Sequence, residues 1–320
     1  MSFYRSIIDL YLMKKSITCV QIQPVFLDPL ATATKICSYI EKASKREPNL
    51  VVFPELVLSG YPNFKIATNE YRNEYIRAAI SVTGPELEQI AKTAENFGVV
   101  TVLGFIELDP DFPEVIYDSS CIIDSDGELL GTHRKIAPFG VEKLIFKEGD
   151  AKDIRVFDTN VGKLGIGLCF EHLNPLYRRA LTLLGEEIHC ALWVTSEDTK
   201  HIVDCSSKIT AIENGVFVAL VSQVTFKNSG SIAVGQNFIG GSGILDPLGR
   251  FVSGPIYGRE ETLYVEIEPE PWQTQKLQSR GIDVRDDLLS LNLATEEYRS
   301  LYTKNPKKVD IRTSHSIINN

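Results

Sequence analysis

The sequence predicts a single-domain α/β sandwich, and three observations carry that prediction. Stretches of helical periodicity alternate with short apolar runs along most of the 320 residues. The runs are of two kinds, some alternating apolar and small or polar residues and some continuously apolar, as half-buried and doubly buried strands require. No linker, low-complexity tract or internal repeat divides the chain.

In order, Ile17 to Ile22 reads as a strand, and about Asp28 to Arg46 as a helix stopped by Pro48 and Asn49. Leu50 to Phe53 is a continuous apolar run ended by Pro54 and Glu55, and a carboxylate at the end of a buried strand needs a reason. Thr83-Gly84-Pro85-Glu86 opens an amphipathic helix with Leu87, Ile90, Ala91 and Ala94 on one face, closed near Gly98; Val99 to Phe105 follows as a strand. Asp126-Gly127 marks a hairpin between Val115–Ile123 and Leu129–Lys135. Short strands over Ile154–Phe157 and Lys163–Leu168 lead to Cys169. Next come a strand at Ile188–Val194, a helix at Asp198–Asn214 and a strand at Val216–Gln223. A glycine-rich stretch precedes Ile244–Val252, which turns at Asp246–Gly249, then a strand at Leu263–Ile267 and a helix from Pro269 to about Ser279.

A content of 43% hydrophobic and 23% charged residues suits a globular core, and 33 basic against 42 acidic side chains give a net charge of -9. That field repels nucleic acid and anionic membrane, so neither is expected as a partner. The N-terminal stretch has one short, interrupted apolar run, too few residues to span a bilayer. Six cysteines are scattered without a C-x-x-C pair or a Cys/His cluster at zinc spacing, so neither a metal site nor a disulfide framework is expected, and a reducing cytoplasm is the default. Cys19, Cys37, Cys121, Cys190 and Cys205 read as core or packing residues.

Cys169 differs by position. In VGKLGIGLCFEHLNPL, Leu164, Ile166 and Leu168 alternate with Gly165 and Gly167, whose missing side chains suit close approach of neighbouring backbone. Asn174 and Pro175 then read as the N-cap and first turn of a helix. A thiol on such a strand-to-helix turn is expected to project from the core toward solvent, near N–H groups that favour an anion. The plain alternative is a small buried hydrophobe.

Glu55 in FPE, Lys135 in HRK and Cys169 in GLCFE all lie at strand ends, where α/β folds gather ligands. They are chemically complementary, because a thiol with a pKa of about 8.5 needs a carboxylate to take its proton and a cation to steady developing negative charge. Other arrangements are weaker. The stretch NSGSIAVGQNFIGGSG fits neither phosphate-loop template, so no nucleotide is expected and its glycines read as turn or bulge residues. Of the five histidines none has metal-site spacing, though a papain-like pair of Cys169 with His133 or His189 stays open.

In these segments the chain resembles the nitrilase superfamily of carbon-nitrogen hydrolases, marked by Glu, Lys and Cys in that chain order. FPELVLSGYP is similar to the segment of that family's general base, HRKIAPFGVEKLIFKEGD to its lysine segment, and GLCFEHLNPLYRRALTLLGEEIH to its nucleophile and following helix; GGSGILDPLGRFVSGP resembles a later strand pair. The resemblance implies a four-layer αββα sandwich that pairs with further copies of itself. It implies residues 1–15 as an N-terminal extension, 16–291 as the domain and 292–320 as a tail. It also implies Glu55 as base, Lys135 as stabiliser of the tetrahedral intermediate, Cys169 as nucleophile, and Glu142 as a second glutamate orienting lysine or substrate. By itself Glu142 could equally be an exposed charge beside Lys143 and Lys147. Phe170, Glu171 and His172 become residues of the pocket wall or its support, and no cofactor is implied.

The pattern Cys169-Phe170-Glu171-His172-Leu173-Asn174-Pro175-Leu176 resembles the nitrile-hydrolysing branch, with Phe170 where that branch has tryptophan. Ile282 to Asp287 shares only Arg285 and Asp287 with a segment of the same branch. A small nitrile is the expected substrate. An amidase or carbamoylase with the same three residues, and a catalytically silent scaffold, are the alternatives.

Overall fold

The computed structural model describes residues 15–62, 69–226 and 237–267. The expected helix at Pro269–Ser279 and the stretch Ile282–Asp287 lie outside them, as does most of each proposed terminal segment.

Among the described residues, twelve strands form two six-stranded mixed sheets. The first contains β1 (Lys15–Gln21), β2 (Leu50–Val52), β3 (Val100–Leu108), β4 (Ile116–Ile123), β5 (Leu129–Arg134) and β12 (Glu261–Ile267), in the spatial order β12-β1-β2-β3-β4-β5. The second contains β6 (Val156–Thr159), β7 (Gly162–Leu168), β8 (Ile188–Val194), β9 (Phe217–Gln223), β10 (Gly240–Leu245) and β11 (Phe251–Tyr257), in the order β11-β10-β9-β8-β7-β6. In each, three parallel strands are flanked by antiparallel ones: β1, β2 and β3 in the first, β7, β8 and β9 in the second. The duplication is topological; the sequence shows no repeat.

Helices cover the outer faces. Pro29–Ser44 (α1) and Pro85–Phe97 (α3) pack on the first sheet through Ile36, Ile40, Leu87 and Ile90 against Val51, Phe53 and Leu103. Between the sheets lie Ile17, Leu50, Val52 and Val100 from one side and Leu164, Ile166, Leu168, Leu192 and Val221 from the other. On the second sheet's outer face, Val203 and Ala211 of the helix Lys200–Asn214 (α5) pack near Ala191, Val218 and Leu220, and the helix Pro175–Leu183 (α4) lies beside α5. These are the four layers, with each strand's alternation dividing its side chains between two cores.

Local chemistry explains most boundaries. Asp28 caps α1 by accepting from Ala31 N at 2.9 Å, Asn174 caps α4 by accepting from Leu176 N at 3.0 Å, and Gly98 ends α3 in the left-handed region at φ 62°. One helix is not expected from the sequence, and two readings need correction. The helix Asn69–Arg77 (α2) has no apolar stripe; Tyr71 and Tyr75, one turn apart, are its buried face, and Tyr75 meets Phe26 and Phe146 edge-on. The pair expected over Ile244–Val252 extends to β10 and β11, because the rings of Tyr257 and Phe251 occupy the space that side chains at Gly241 and Gly243 would fill. Register shifts in this pair match the bulge role expected of those glycines. Cys205 is exposed, off the buried stripe of Val203, Ser206, Ser207, Thr210 and Ala211, while Cys37 is half-buried.

Candidate active site

Glu55 stands three residues beyond β2, on a turn that the neighbouring strand holds through Phe53 N to Val102 O (2.8 Å) and Gly104 N to Pro54 O (3.1 Å). A side chain at Gly104 would meet Glu55 Cα at 2.7 Å, so the turn can rest on β3 only because position 104 is glycine. Leu56 is left-handed at φ 46°, and Gln223 at the end of β9 donates to the Glu55 carbonyl at 2.5 Å. Lys135 follows β5 and continues its pairing, donating from its backbone N to Asp118 O on β4 at 2.8 Å. Glu142 lies in the 3-10 turn Gly140–Leu144.

These side chains converge. The Lys135 ammonium lies 2.6 Å from Glu55 Oε1, 3.0 Å from Asp118 Oδ2 and 3.0 Å from Glu142 Oε1, with all four side chains fully shielded from solvent. Glu142 also accepts from Phe139 N at 2.6 Å and from the Tyr61 hydroxyl. The surface-charge reading of Glu142 is thereby excluded. Oxygens of Glu55, Asp118 and Glu142 within 4.8 Å of one another could serve a cation, and the ammonium fills that role. Burial works against the lysine's charge, yet Asp118, Glu142 and Glu55 outweigh it and hold Lys135 well above its ordinary range. Burial pushes Glu55 well above the usual carboxylate range; Lys135 opposes this, and Asp118 and Glu142 add to it.

Cys169 enters from the second sheet, immediately after β7, at φ 50°. A non-glycine residue there carries strain of about 1–3 kcal/mol, which the surrounding bonds must hold. The thiol does not project to solvent: it is 1% exposed. The strand end meets the other sheet's loops rather than water, so burial raises the thiol pKa, Glu55 raises it further and Lys135 pulls it down. At rest it is a neutral thiol, and its proton leaves only when a base takes it.

Two buried networks hold this turn. Glu171 Oε1 accepts from Ile136 N at 2.6 Å, one residue past Lys135, while Oε2 accepts from Leu168 N at 2.8 Å, one residue before Cys169. His133 Nε2 also reaches Oε2 at 2.9 Å, and its Nδ1 donates to Asp153 O at 2.9 Å. Burial opposes both charges, but the His133–Glu171 attraction and the N–H bonds lower the carboxyl pKa and raise that of the imidazole. Behind the turn, His172 Nδ1 donates to the Cys169 carbonyl at 2.7 Å, its Nε2 lies 2.9 Å from His189 Nε2, and His189 Nδ1 is 2.9 Å from Glu186. Burial and then His189 push His172 well below its ordinary value, so it is neutral and accepts at Nε2. Both nitrogens of His133 and of His189 are engaged in these bonds, which removes the papain-like alternative.

Gly167 and Gly165 admit side chains rather than backbone: a Cβ at 167 would meet the His172 ring at 2.7 Å, and the Glu186 carboxyl lies against 165. Phe170 stacks on Phe139 at 4.0 Å and lies near Trp193, forming an aromatic wall. An apolar cleft of about 140 Å³ behind that wall is lined by Ile136, Phe170, Leu176 and Tyr177, and none of Glu55, Lys135, Glu142 and Cys169 borders it.

A sequence profile described as carbon-nitrogen hydrolase matches residues 16–276. The chain belongs to the carbon-nitrogen hydrolase family. Among relatives of this hydrolase, Nitrilase 2 of Arabidopsis thaliana is 33% identical over 302 residues, covering 86% of this chain and 87% of the relative. A bifunctional nitrilase/nitrile hydratase of Nicotiana tabacum is 32% identical over 274 residues, covering 78% and 77%. The fold agrees with solved structures. A Saccharomyces cerevisiae member of branch 10 of the nitrilase superfamily superposes with TM-score 0.71 at 24% identity, over 85% of this chain and 95% of that one. A carbon-nitrogen hydrolase of Helicobacter pylori gives 0.70 at 24% identity, over 87% and 99%.

The hydrolase thus brings Glu55, Lys135, Glu142 and Cys169 into one buried end of the sandwich. Glu171 and His172 face backbone and imidazoles behind the turn. Sequence reasoning missed Asp118 and Tyr61. Asp118 had a signal, a carboxylate inside IYDSSCII, where every residue is buried.

Proposed function

We propose that this hydrolase converts a small nitrile to a carboxylic acid and ammonia, with Cys169 as nucleophile, Glu55 as base, Lys135 as stabiliser and Glu142 orienting the lysine. One observation carries the reading: a neutral buried thiol on a strained turn shares its pocket with an ammonium that three carboxylates fix in place.

Glu55 takes the Cys169 proton as sulfur bonds to the nitrile carbon, and the nitrogen, gaining an electron pair, receives that proton. The product is a neutral thioimidate. Water adds with Glu55 as base, the tetrahedral carbon expels ammonia, and a thioester remains that a second water hydrolyses to the acid and the free thiol. Lys135 serves wherever negative charge appears on the substrate, in a dry site where a fixed cation needs no reorganisation. If the tetrahedral carbon expels the thiol instead, the amide leaves. A relative named as both nitrilase and nitrile hydratase makes this second exit the one to measure, and about 1.4 kcal/mol in relative barriers changes the partition tenfold.

Nitriles should be preferred over matched primary amides by about tenfold or more, as the likeness of Cys169–Leu176 to the nitrile-hydrolysing branch implies. Ammonia release from matched pairs, with Cys169→Ala as the blank, tests this. Faster amide turnover across the panel would assign the same residues to an amidase.

The hydrolase is further proposed to act in the cytoplasm as a homo-oligomer. All six cysteines are free, no helix among the described residues is long and apolar enough to cross a membrane, and Leu173, Leu176, Leu183 and Leu184 are exposed on and beside α4. Sedimentation equilibrium gives the subunit number.

A further inference from the structure

Three carboxylates and one ammonium, all shielded from water, carry two excess negative charges if every carboxyl is ionised, which a dry pocket opposes. One carboxyl is therefore expected to hold a proton, and the hydrogen bonds narrow the choice. Both oxygens of Glu142 receive donors: Tyr61 and Lys135 on Oε1, Phe139 N and Lys135 on Oε2. Glu142 thus has no free oxygen for that proton. Glu55 Oε2 and Asp118 Oδ1, by contrast, are buried and have no hydrogen-bond partner among the described residues, while the other oxygen of each faces the same ammonium.

We propose that Asp118 is a positioning residue that shares the resting proton of the cluster with Glu55, so that Glu55 can present an ionised oxygen to the thiol without losing that proton to solvent. The proposal rests on Glu55 being the base. Its partners in this role are the charged and titratable groups facing the pair: Lys135, Glu142, Tyr61 and Cys169. Arg134 and His133 on the same strand turn away, to Glu107 and Glu171. Burial raises Asp118 to about 6, against the pull of Lys135, and Glu55 is raised as well, which agrees with a shared proton.

A like charge beside Glu55 keeps its pKa high. Asp118→Asn removes that charge and keeps an acceptor for Lys135. The acid limb of kcat/KM for ammonia release should then move to lower pH by at least about one unit, the scale of a charge sharing a carboxyl's site. A packing role would lower kcat or stability and leave the limb in place. The second readout is infrared and needs no turnover. The wild type should show a protonated-carboxyl band at pH 7 that Glu55→Gln removes, and in Asp118→Asn its titration midpoint should fall by the same amount.

An unmoved limb, a wild type without that band, or coincident midpoints would each overturn the assignment. If only the reading of Glu55 as base is wrong, Glu55→Gln stays active while the band still titrates with Asp118. If only this inference is wrong, Glu55→Gln is inactive and Asp118→Asn leaves limb and band unmoved.

Discussion

Glu55 and Glu171 are both glutamates beyond the reach of water, each facing a cation, and their acidities move in opposite directions. Glu171 has donors on both oxygens, two backbone N–H groups and an imidazole, and its pKa is lowered. Glu55 has one ammonium on one oxygen and, among the described residues, no donor on the other, shares that ammonium with two further carboxylates, and its pKa is raised. Burial is equal in the two, so the donors each carboxyl can count on decide the direction. A filled carboxylate is a strut, and an unfilled one can take a proton.

The largest expected effect is on turnover. Cys169→Ala should lose about 10⁴-fold or more, and Glu55→Gln and Lys135→Ala about 10²-fold or more, in steady-state ammonia release. Glu55→Gln should do so without loss of stability in urea unfolding, because it neutralises an incompletely bonded charge. If this variant keeps full activity, the contrast between the two glutamates has no chemical meaning.

Glu171→Gln should behave in the other way. It leaves the buried His133 cation without its anion, so unfolding free energy should fall by about 3–5 kcal/mol. Activity should fall with it, since a glutamine has a single acceptor oxygen and can serve only one of Ile136 N and Leu168 N, which loosens the tie between Lys135's strand and Cys169's. A Glu171→Gln protein as stable as the wild type would show that the strut carries no weight.

The smallest effect is on pH dependence. Glu55 and Asp118 have raised folded-state values, so the folded protein binds more protons than the unfolded chain once pH exceeds about 4. Their contribution is full below that and is lost as pH rises through the folded values, about 6 for Asp118. Glu171 is lowered, so its contribution is present above about 4.3 and is lost as pH falls through its folded value; His133 is raised, so its contribution is full below about 6.5 and is lost as pH rises beyond. Between pH 5 and 6.5 the His133–Glu171 pair is intact, and two contributions change: the Glu55–Asp118 pair lowers stability as pH rises, while His172, held well below its ordinary value, raises it because the unfolded chain sheds a proton there. The His172 contribution is common to both proteins, so stability should fall more steeply, or rise less, with pH in the wild type than in Asp118→Asn. Urea midpoints across the window read the slope, and equal slopes would place the titration elsewhere.

The sequence by itself determined the order of elements and much of their capping, because Asp28, Gly98, Asn174 and Pro175 act on their own backbone within a turn. It also pointed to the strand ends that meet at the candidate site, since Glu55, Lys135 and Cys169 break apolar runs with groups that a core would otherwise reject. It could not show α2, whose buried face is two tyrosines in a charged segment. Only the tertiary structure decided that the Cys169 thiol is buried rather than projecting, that Gly167 makes room for an imidazole, and that Asp118 joins the lysine while Glu171 joins two strands. Periodicity reports which way a side chain faces. The protonation of a buried group depends on donors and charges arriving from other strands, and no local pattern records them.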